Sequence, residues 1–421
     1  MKKFIYTTYI GLLACVLFAS CNSFNDAFDA EKVDSLTVAV TANVSVEGVS
    51  AEGLTIKFDN YTEDIHLSKT LTGTNNELSG IIPGIYNVTI SGKTTDSNGD
   101  EYYLNGTLVN KPLYKGANSI NITVGGLKIS PLIFKEIFYA GSPKYYFRNQ
   151  FYELYNNSSN TLYLDGIYFA ELTPTTATTK LPVWPTSDGD NYCYGNRVWK
   201  FPGSGTDYPL KPGESCVISQ FAANHKLPIY CPNSPVDCSS SEFEFNMNNK
   251  KYPDQPAVDM VHVFYNGKAE KGSTPQYLTS VFGGAYVIFQ VPKGDTYDPV
   301  GNENLSTRDF GSKYATLYAK IPITYVLDAV EAGQNETMIN AKRVPGVLDA
   351  GMTYVGSTYC SLGVARYPLT DDNGDYVYQD CGSMIFKDTN NSTDDFQRGV
   401  VPELRRYGTK MPSWNHTLIG K

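Results

Sequence analysis

Short alternating runs set off by turn residues recur along this chain, and they leave little room for anything but extended structure. Leu36-Thr37-Val38-Ala39-Val40 alternates, and so does Leu54-Thr55-Ile56-Lys57-Phe58. Period-two patterning gathers apolar side chains on one face only when the backbone is a strand. Ile85-Tyr86-Asn87-Val88-Thr89-Ile90 follows the turn pair Pro83-Gly84, and Ser119-Ile120-Asn121-Ile122-Thr123-Val124 repeats the pattern. Helical periodicity is scarce. Tyr, which suits a pleated, half-buried surface, occurs 32 times. The expected class is all-β.

The runs group into two units. Residues 35–124 hold roughly six or seven short strands, the density of an Ig-like β-sandwich. Asp96-Ser97-Asn98-Gly99-Asp100 reads as a turn inside it, and Gly125-Gly126 as a boundary after it. Residues 127–421 form the second unit. Phe151-Tyr152-Glu153-Leu154-Tyr155 and Leu162-Tyr163-Leu164 flank the polar turn Asn156 to Asn160, and Pro212-Gly213 lets another strand start. Thr324 to Glu331 fits a short helix or a strand equally well. Two long insertions interrupt this unit, and loops on a rigid scaffold are where binding concentrates. Thr173 to Asp207 carries Trp184, Tyr192, Tyr194 and Trp199, candidate ligand contacts because aromatic faces stack on sugars and other flat groups. Pro292 to Ala315 is polar and rich in Gly and Asp.

The N-terminus sets the expected location. Lys2 and Lys3 precede a mostly apolar stretch, and Ala19-Ser20 places small residues before Cys21. That is the pattern of a bacterial lipoprotein signal peptide over residues 1–20, with Cys21 as the lipidated N-terminus of the mature chain. Leu12-Leu13-Ala14-Cys15 is a rival box, but apolar sequence ends at Cys21. The signal stretch is too short and polar for a good spanning helix, and no later segment approaches about 18 consecutive apolar residues. The acidic, Asn-rich residues 21–34 are expected to act as a flexible tether. Multiple acyl chains on Cys21 would then hold the protein on a membrane.

Charge narrows the partners. The whole chain carries a formal charge of −9, and loss of Lys2 and Lys3 takes it to −11. An acidic surface argues against nucleic acid. Six cysteines follow the signal, and an even number in an exported chain is consistent with disulfides. Cys231 and Cys238 flank Pro232-Asn233-Ser234-Pro235 and are the candidate local pair. No Cys-x-x-Cys pair occurs and the four histidines are far apart, so no metal site or other cofactor is expected. Asp371-Asp372-Asn373-Gly374-Asp375 lacks the spacing of a calcium loop and reads as a hairpin turn. His225 lies near Cys216 and Cys231 in sequence, but no nucleophile elbow, phosphate loop or metalloprotease motif is present, so no catalytic residue is assigned. The expectation is a protein that is not an enzyme.

Particular motifs sharpen this reading. Leu78-Ser79-Gly80-Ile81-Ile82-Pro83-Gly84-Ile85-Tyr86 resembles prealbumin-like or carboxypeptidase-regulatory-like modules. The set from Ile133-Phe134-Lys135-Glu136-Ile137 through Phe151 to Asn157, Leu210 to Ile218 and Ala285 to Phe289 resembles a lamin-tail domain, also an Ig-like sandwich. Tyr208-Pro209-Leu210, Ala222-Ala223-Asn224-His225, Ser234-Pro235-Val236-Asp237 and Phe386-Lys387-Asp388-Thr389-Asn390-Asn391-Ser392-Thr393-Asp394-Asp395-Phe396 are similar to a family of Bacteroidetes outer-membrane lipoproteins, domain of unknown function family 4876. The resemblance implies two Ig-like β-sandwich domains, the second lamin-tail-like with long loop insertions. It also implies a lipid-anchored outer-membrane location facing the cell surface, and a role beside a TonB-dependent receptor in capturing a glycan, peptide or other nutrient. A structural or adhesive surface protein is the alternative, and a surface hydrolase the least favoured one. Asp34-Ser35-Leu36 resembles the short O-glycosylation acceptor of that bacterial group, with Ser35 as acceptor.

Overall fold

Leu36, Val38, Val40 and Ala42 are buried while Thr37, Ala39 and Asn43 are exposed, so the first alternating run forms a strand with one wet face. The computed structural model describes residues 33–420 apart from 47, 96–100, 129, 179 and 372. The signal peptide, Cys21, most of the tether and the Asp96–Asp100 turn lie outside the described residues. Ser35 is exposed just before the first strand.

The N-terminal strands are β1 (Leu36–Val44), β2 (Thr55–Asn60), β3 (Ile65–Thr70), β4 (Asn75–Ile81), β5 (Gly84–Thr95), β6 (Glu101–Leu113) and β7 (Asn118–Lys128). They run in the order β3-β2-β5-β6-β7-β1-β4 and fold over one apolar core built from Val38, Ile56, Phe58, Tyr86, Ile90 and Ile122 among others. The Pro83-Gly84 turn feeds Tyr86 into this core, where its hydroxyl donates to Ile82 O at 2.7 Å. Long β7 serves both halves of the sandwich. Asn118 to Val124 pairs in parallel with β1, and Gly125 to Lys128 pairs antiparallel with β6. Gly125 and Gly126, expected to mark a boundary, sit inside β7 at that switch. A Cβ on Gly125 would overlap Val347, and one on Gly126 would overlap Val46 and Leu104. Close backbone approach requires these glycines.

The strands that follow are β8 (Leu132–Phe138), β9 (Phe151–Asn156), β10 (Leu162–Tyr163), β11 (Tyr168–Leu172), β12 (Tyr192–Lys200), β13 (Pro209–Leu210), β14 (Ser215–Ser219), β15 (Phe243–Glu244) and β16 (Val258–Asp259). The chain continues through β17 (Val261–Tyr265), β18 (Ala285–Phe289), β19 (Ser306–Arg308), β20 (Leu317–Pro322), β21 (Val326–Gly333), β22 (Thr353–Tyr354), β23 (Gly363–Arg366) and β24 (Phe396–Val400). One sheet runs β19-β20-β12-β11-β18-β21-β22, with β17 also paired to β12, and the facing sheet runs β16-β15-β14-β9-β8-β23-β24. Between them lies a core rich in rings, including Phe134, Tyr152, Phe169, Trp199, Phe245 and Tyr286.

The insertions cover the outer faces of both sheets. Tyr168, Val198, Val287 and Phe289 pack outward against Tyr297, Val344 and Leu348. Ile133 and Tyr155 pack outward against Phe386. Strands β9, β11, β14 and β18 are therefore buried at every residue, and their sequences lose the alternation that a half-exposed sheet would show. The fold is all-β and sandwich-like, as the sequence indicates. Residues 324–331, which fit helix or strand, form the end of a 3-10 turn (Ile323–Tyr325) and the start of β21.

The motif from Phe386 to Phe396 is a buried electrostatic clasp. Arg366, almost fully enclosed, reaches Asp328 at 2.7 Å, Asp388 at 3.0 Å and Asp395 at 3.3 Å, and donates to Phe134 O at 2.8 Å. Asp395 accepts from Thr389 N–H at 2.8 Å, and Asn391 caps the single turn α1 (Ser392–Asp395) by accepting from Thr393 N–H at 3.1 Å. Asp371 Oδ1 accepts from Asn373 N–H at 2.9 Å and Asp375 N–H at 3.0 Å, closing the expected hairpin turn.

The expected Cys231–Cys238 bridge is not present. The six cysteines among the described residues are free thiols. Cys238 is buried among Phe138, Phe151, Val217 and Val236, whereas Cys231 is half-buried at a turn. Backbone bonds close that loop instead: Cys231 N–H to His225 O at 3.0 Å, Ser234 N–H to Cys231 O at 2.8 Å and Cys238 N–H to Ala223 O at 3.1 Å.

Candidate functional site

Sheet register builds the site. Glu171 on β11 lies directly opposite Arg197 on β12. Glu171 is also opposite Tyr286 on β18, and Arg197 opposite Tyr265 on β17. Opposed residues share a face with Cβ atoms about 4.5–5.5 Å apart. The row Tyr286, Glu171, Arg197, Tyr265 thus crosses the sheet. It lies on the face that turns Phe169 and Trp199 into the ring-rich core. At this end of the sandwich the core gives way to a pocket of about 400 Å³, walled by Glu171, Asn196, Arg197, Tyr265, Gln276 and Tyr277.

Two charged-type side chains line this pocket, one with an unpartnered oxygen and the other without a carboxylate partner. Glu171 is 1% exposed, its Oε2 accepts from the Tyr277 hydroxyl at 3.5 Å, and its Oε1 has no partner. Burial pushes its carboxyl up to about 8, and the nearby Arg343, Arg197, Tyr277 and Asn196 offset that only in part. Burial therefore favours the protonated form of Glu171. Arg197 is 3% exposed and makes no ion pair with a described carboxylate; its Nη1 donates to His262 Nε2 at 3.1 Å and Lys271 O at 2.8 Å. The guanidinium carbon sits 3.9 Å from the centre of the Tyr265 ring, a cation–π contact. His262 Nδ1 lies 2.6 Å from Ala269 O, which fixes Nδ1 as the donor and leaves Nε2 to accept from Arg197. Burial drags the His262 imidazole down to about 4, so it stays neutral and cannot compete with Arg197 for an anion. The other buried arginine nearby, Arg343, is already paired with Glu331 at 2.8 Å.

A second cavity, about 270 Å³, lies between the N-terminal sandwich and the segments around β22 and β24, and is lined by Lys57, Tyr61, His66, Glu336, Tyr354 and Arg398. Its polar groups satisfy one another. Lys57 pairs with Asp394 at 2.8 Å and His66 with Asp59 at 2.7 Å, and Arg398 donates to Thr393 O at 3.0 Å. The hydrogen bond to Asp59 raises the His66 imidazole pKa. This cavity is a paired, partly exposed polar seam, while the other pocket leaves Glu171 Oε1 unpartnered and Arg197 without a carboxylate partner.

Glu244, Asp254 and Asp259 bring carboxylate oxygens within 4.8 Å of one another, a hard-oxygen set of the kind calcium takes. Glu244 already accepts from Ala222 N–H at 2.9 Å and Gln255 N–H at 3.0 Å, and Asn246 bridges Asp254 and Asp259 at 3.0 and 3.2 Å. Burial lifts the Glu244 carboxyl to about 7.

Of the four candidate aromatics, Tyr192, Tyr194 and Trp199 lie on strand β12 rather than in a loop, and none of the four lines the Glu171–Arg197 pocket. Trp199, a candidate ligand contact, is fully buried against Phe245, Tyr277 and His262 and cannot meet a ligand. Trp184 stacks flat on Tyr194 at 3.8 Å and meets the Tyr318 edge at 5.6 Å. The Tyr194 hydroxyl donates to Asp188, which also pairs with Lys320 at 2.5 Å, and the Lys320 ammonium lies over the Tyr192 ring. These contacts pin the insertion onto β12 and β20. Glu171 on β11 and Arg197 on β12 carried no sequence signal of their own, because only the pairing of those strands brings them together. His225 is a core histidine, held between the Tyr146 hydroxyl at 2.7 Å and Phe221 O at 2.9 Å, with its pKa drawn down to about 4 by burial.

Comparison with known proteins accords with the motifs. The family model described as protein of unknown function (DUF4876) matches residues 211–403. A crystal structure of a DUF4876 family protein from Bacteroides thetaiotaomicron VPI-5482 is 63% identical, covers 91% of this chain and 100% of its own, and superposes with a TM-score of 0.69. No curated protein matches. With that identity over that coverage, the chain belongs to the DUF4876 family.

Proposed function

We propose that this chain is a non-enzymatic capture protein of the cell envelope, lipid-anchored through Cys21 at the outer membrane, which holds a small polar ligand in the Glu171–Arg197 pocket and passes it to a TonB-dependent transporter. The observation that carries the capture role is the unspent bonding at the floor of an open pocket. Buried polar groups in folded chains are nearly always paired, so an unpartnered carboxyl oxygen at a pocket floor calls for a partner. The pocket is built on strands, which hold it to fixed geometry, and ringed by tyrosines that supply apolar contact area. The lipoprotein pattern ending at Cys21 supports the anchor: tethering beside a transporter would raise the local concentration of whatever is captured. Mild-detergent extraction of the full chain from native membranes, followed by mass spectrometry, tests the proposal. The expected result is an acylated N-terminal Cys21 and stoichiometric recovery of a TonB-dependent receptor. An unmodified N-terminus would overturn the anchor, and recovery of the chain alone would overturn the transporter role and favour free capture or adhesion.

A further inference from the structure

Resting on the capture reading, we infer that the ligand carries a carboxylate, and that it is a small hydroxylated acid of uronic-acid size whose carboxylate docks on Arg197 and accepts a hydrogen bond from Glu171. The guanidinium of Arg197 is almost fully buried, yet among the described residues it has no anionic partner. A buried cation without a carboxylate partner is costly, and no described carboxylate pairs with Arg197. Glu171 does not balance it. Although directly opposite on the neighbouring strand, its carboxyl makes no ion pair with the guanidinium, and one of its oxygens is unpartnered. Its unpartnered oxygen faces the pocket, and in the protonated form that burial favours, a carboxyl is a hydrogen-bond donor.

Three ligand classes can be weighed against these two groups. A cation meets the repulsion of Arg197. A neutral sugar can bond to Glu171 but leaves the guanidinium uncompensated. A carboxylate satisfies both, because its two oxygens match the planar fork of arginine and can accept from a protonated acid. A phosphate shares the affinity for guanidinium but brings closer to two charges, and the next buried cation, Arg343, is committed to Glu331 at 2.8 Å. The remaining walls fit a hydroxylated ring. Tyr265 and Tyr277 offer flat apolar faces, and Asn196 an amide that can both donate and accept. A cavity of about 400 Å³ is of small-molecule size.

The test is binding of glucuronate, glucuronamide, glucose and glucose 6-phosphate to the mature full chain by calorimetry and ligand-observed NMR. The expected result is saturable binding of glucuronate at least tenfold tighter than of the other three, with the preference lost in Arg197→Gln. Arg197→Lys, which keeps the charge and loses the fork, should bind glucuronate with intermediate affinity. If Arg197→Gln fails to fold, the ligand series on the unaltered chain still decides. Equal binding of glucose and glucuronate, or tighter binding of glucose 6-phosphate, would overturn the carboxylate inference and leave the capture pocket standing. Binding of none of the four would overturn both.

Discussion

The groups that matter most in this molecule are ionisable residues taken out of water, and their behaviour with pH is a direct consequence. Glu171 has its pKa raised from an ordinary value near 4.5 to about 8. The folded state therefore binds this proton more tightly than the unfolded chain, and its stability contribution, full at low pH, is lost as pH climbs from about 4.5 through 8. From this group alone the fold should be on the order of 2 kcal/mol less stable at pH 8 than at pH 6. Glu171→Gln keeps the shape and removes the proton, so urea titrations of the variant at the two pH values should lack that difference. Arg366 is the opposite case, a buried cation surrounded by Asp328, Asp388 and Asp395. Arg366→Met would strand those carboxyls and should cost about 3–5 kcal/mol by chemical denaturation. Trp199→Ala, by the same measurement, should cost about 3–5 kcal/mol as a core cavity. None of these three environments was legible in the sequence. Glu171 and Arg197 are separated by 25 intervening residues in the chain and meet only through register, which depends on long-range pairing. Arg366 sits outside the acidic motif that encloses it.

At the scale of elements, the sequence was readable where one face of a strand stays wet. Thr37, Ala39 and Asn43 alternate with buried neighbours, so β1 announced itself, and the Pro83-Gly84 and Asp371–Asp375 turns carry their own local chemistry. Reading failed where tertiary packing overrides local cues. Gly125 and Gly126 read as a break after the first unit but lie within its last strand, β7, where it leaves β1 and joins β6. Gly125→Val would drive a side chain into Val347 and should lower stability by about 1–3 kcal/mol in urea, a loss that a true linker position would not show. The cysteines test the loops in the same way. Cys381 is exposed, Cys231 and Cys360 are half-buried, and Cys193, Cys216 and Cys238 are buried. Brief alkylation of the folded protein should label Cys381 first, with the three buried thiols reacting only after unfolding; a Cys231–Cys238 bridge would appear instead as two sites unreactive in denaturant until reduced.

The whole molecule is held together by a seam between its N-terminal sandwich and the rest of the chain. Lys57 reaches Asp394, Asn105 reaches Thr389 O at 3.2 Å, and Gly346 packs so closely on Thr107 that a Cβ there would clash at 2.7 Å. The Lys57–Asp394 pair is partly exposed and worth no more than about 1 kcal/mol, so backbone approach decides the seam. The acidic motif is thereby explained physically: it clasps Arg366 on one side and Lys57 on the other. Among the described residues no helix is long and apolar enough to cross a membrane. On the proposed capture role, Arg197 gains its carboxylate partner only when a ligand arrives. The most direct measurement is a carbon-13 NMR titration of the Glu171 carboxyl in glutamate-labelled protein, assigned by its loss in Glu171→Gln. The expected midpoint is about 8, rising further with saturating glucuronate because a bound carboxylate favours the protonated donor. A midpoint in the ordinary carboxylate range, unmoved by the ligand, would mean that Glu171 already balances Arg197 and that the pocket has nothing to capture.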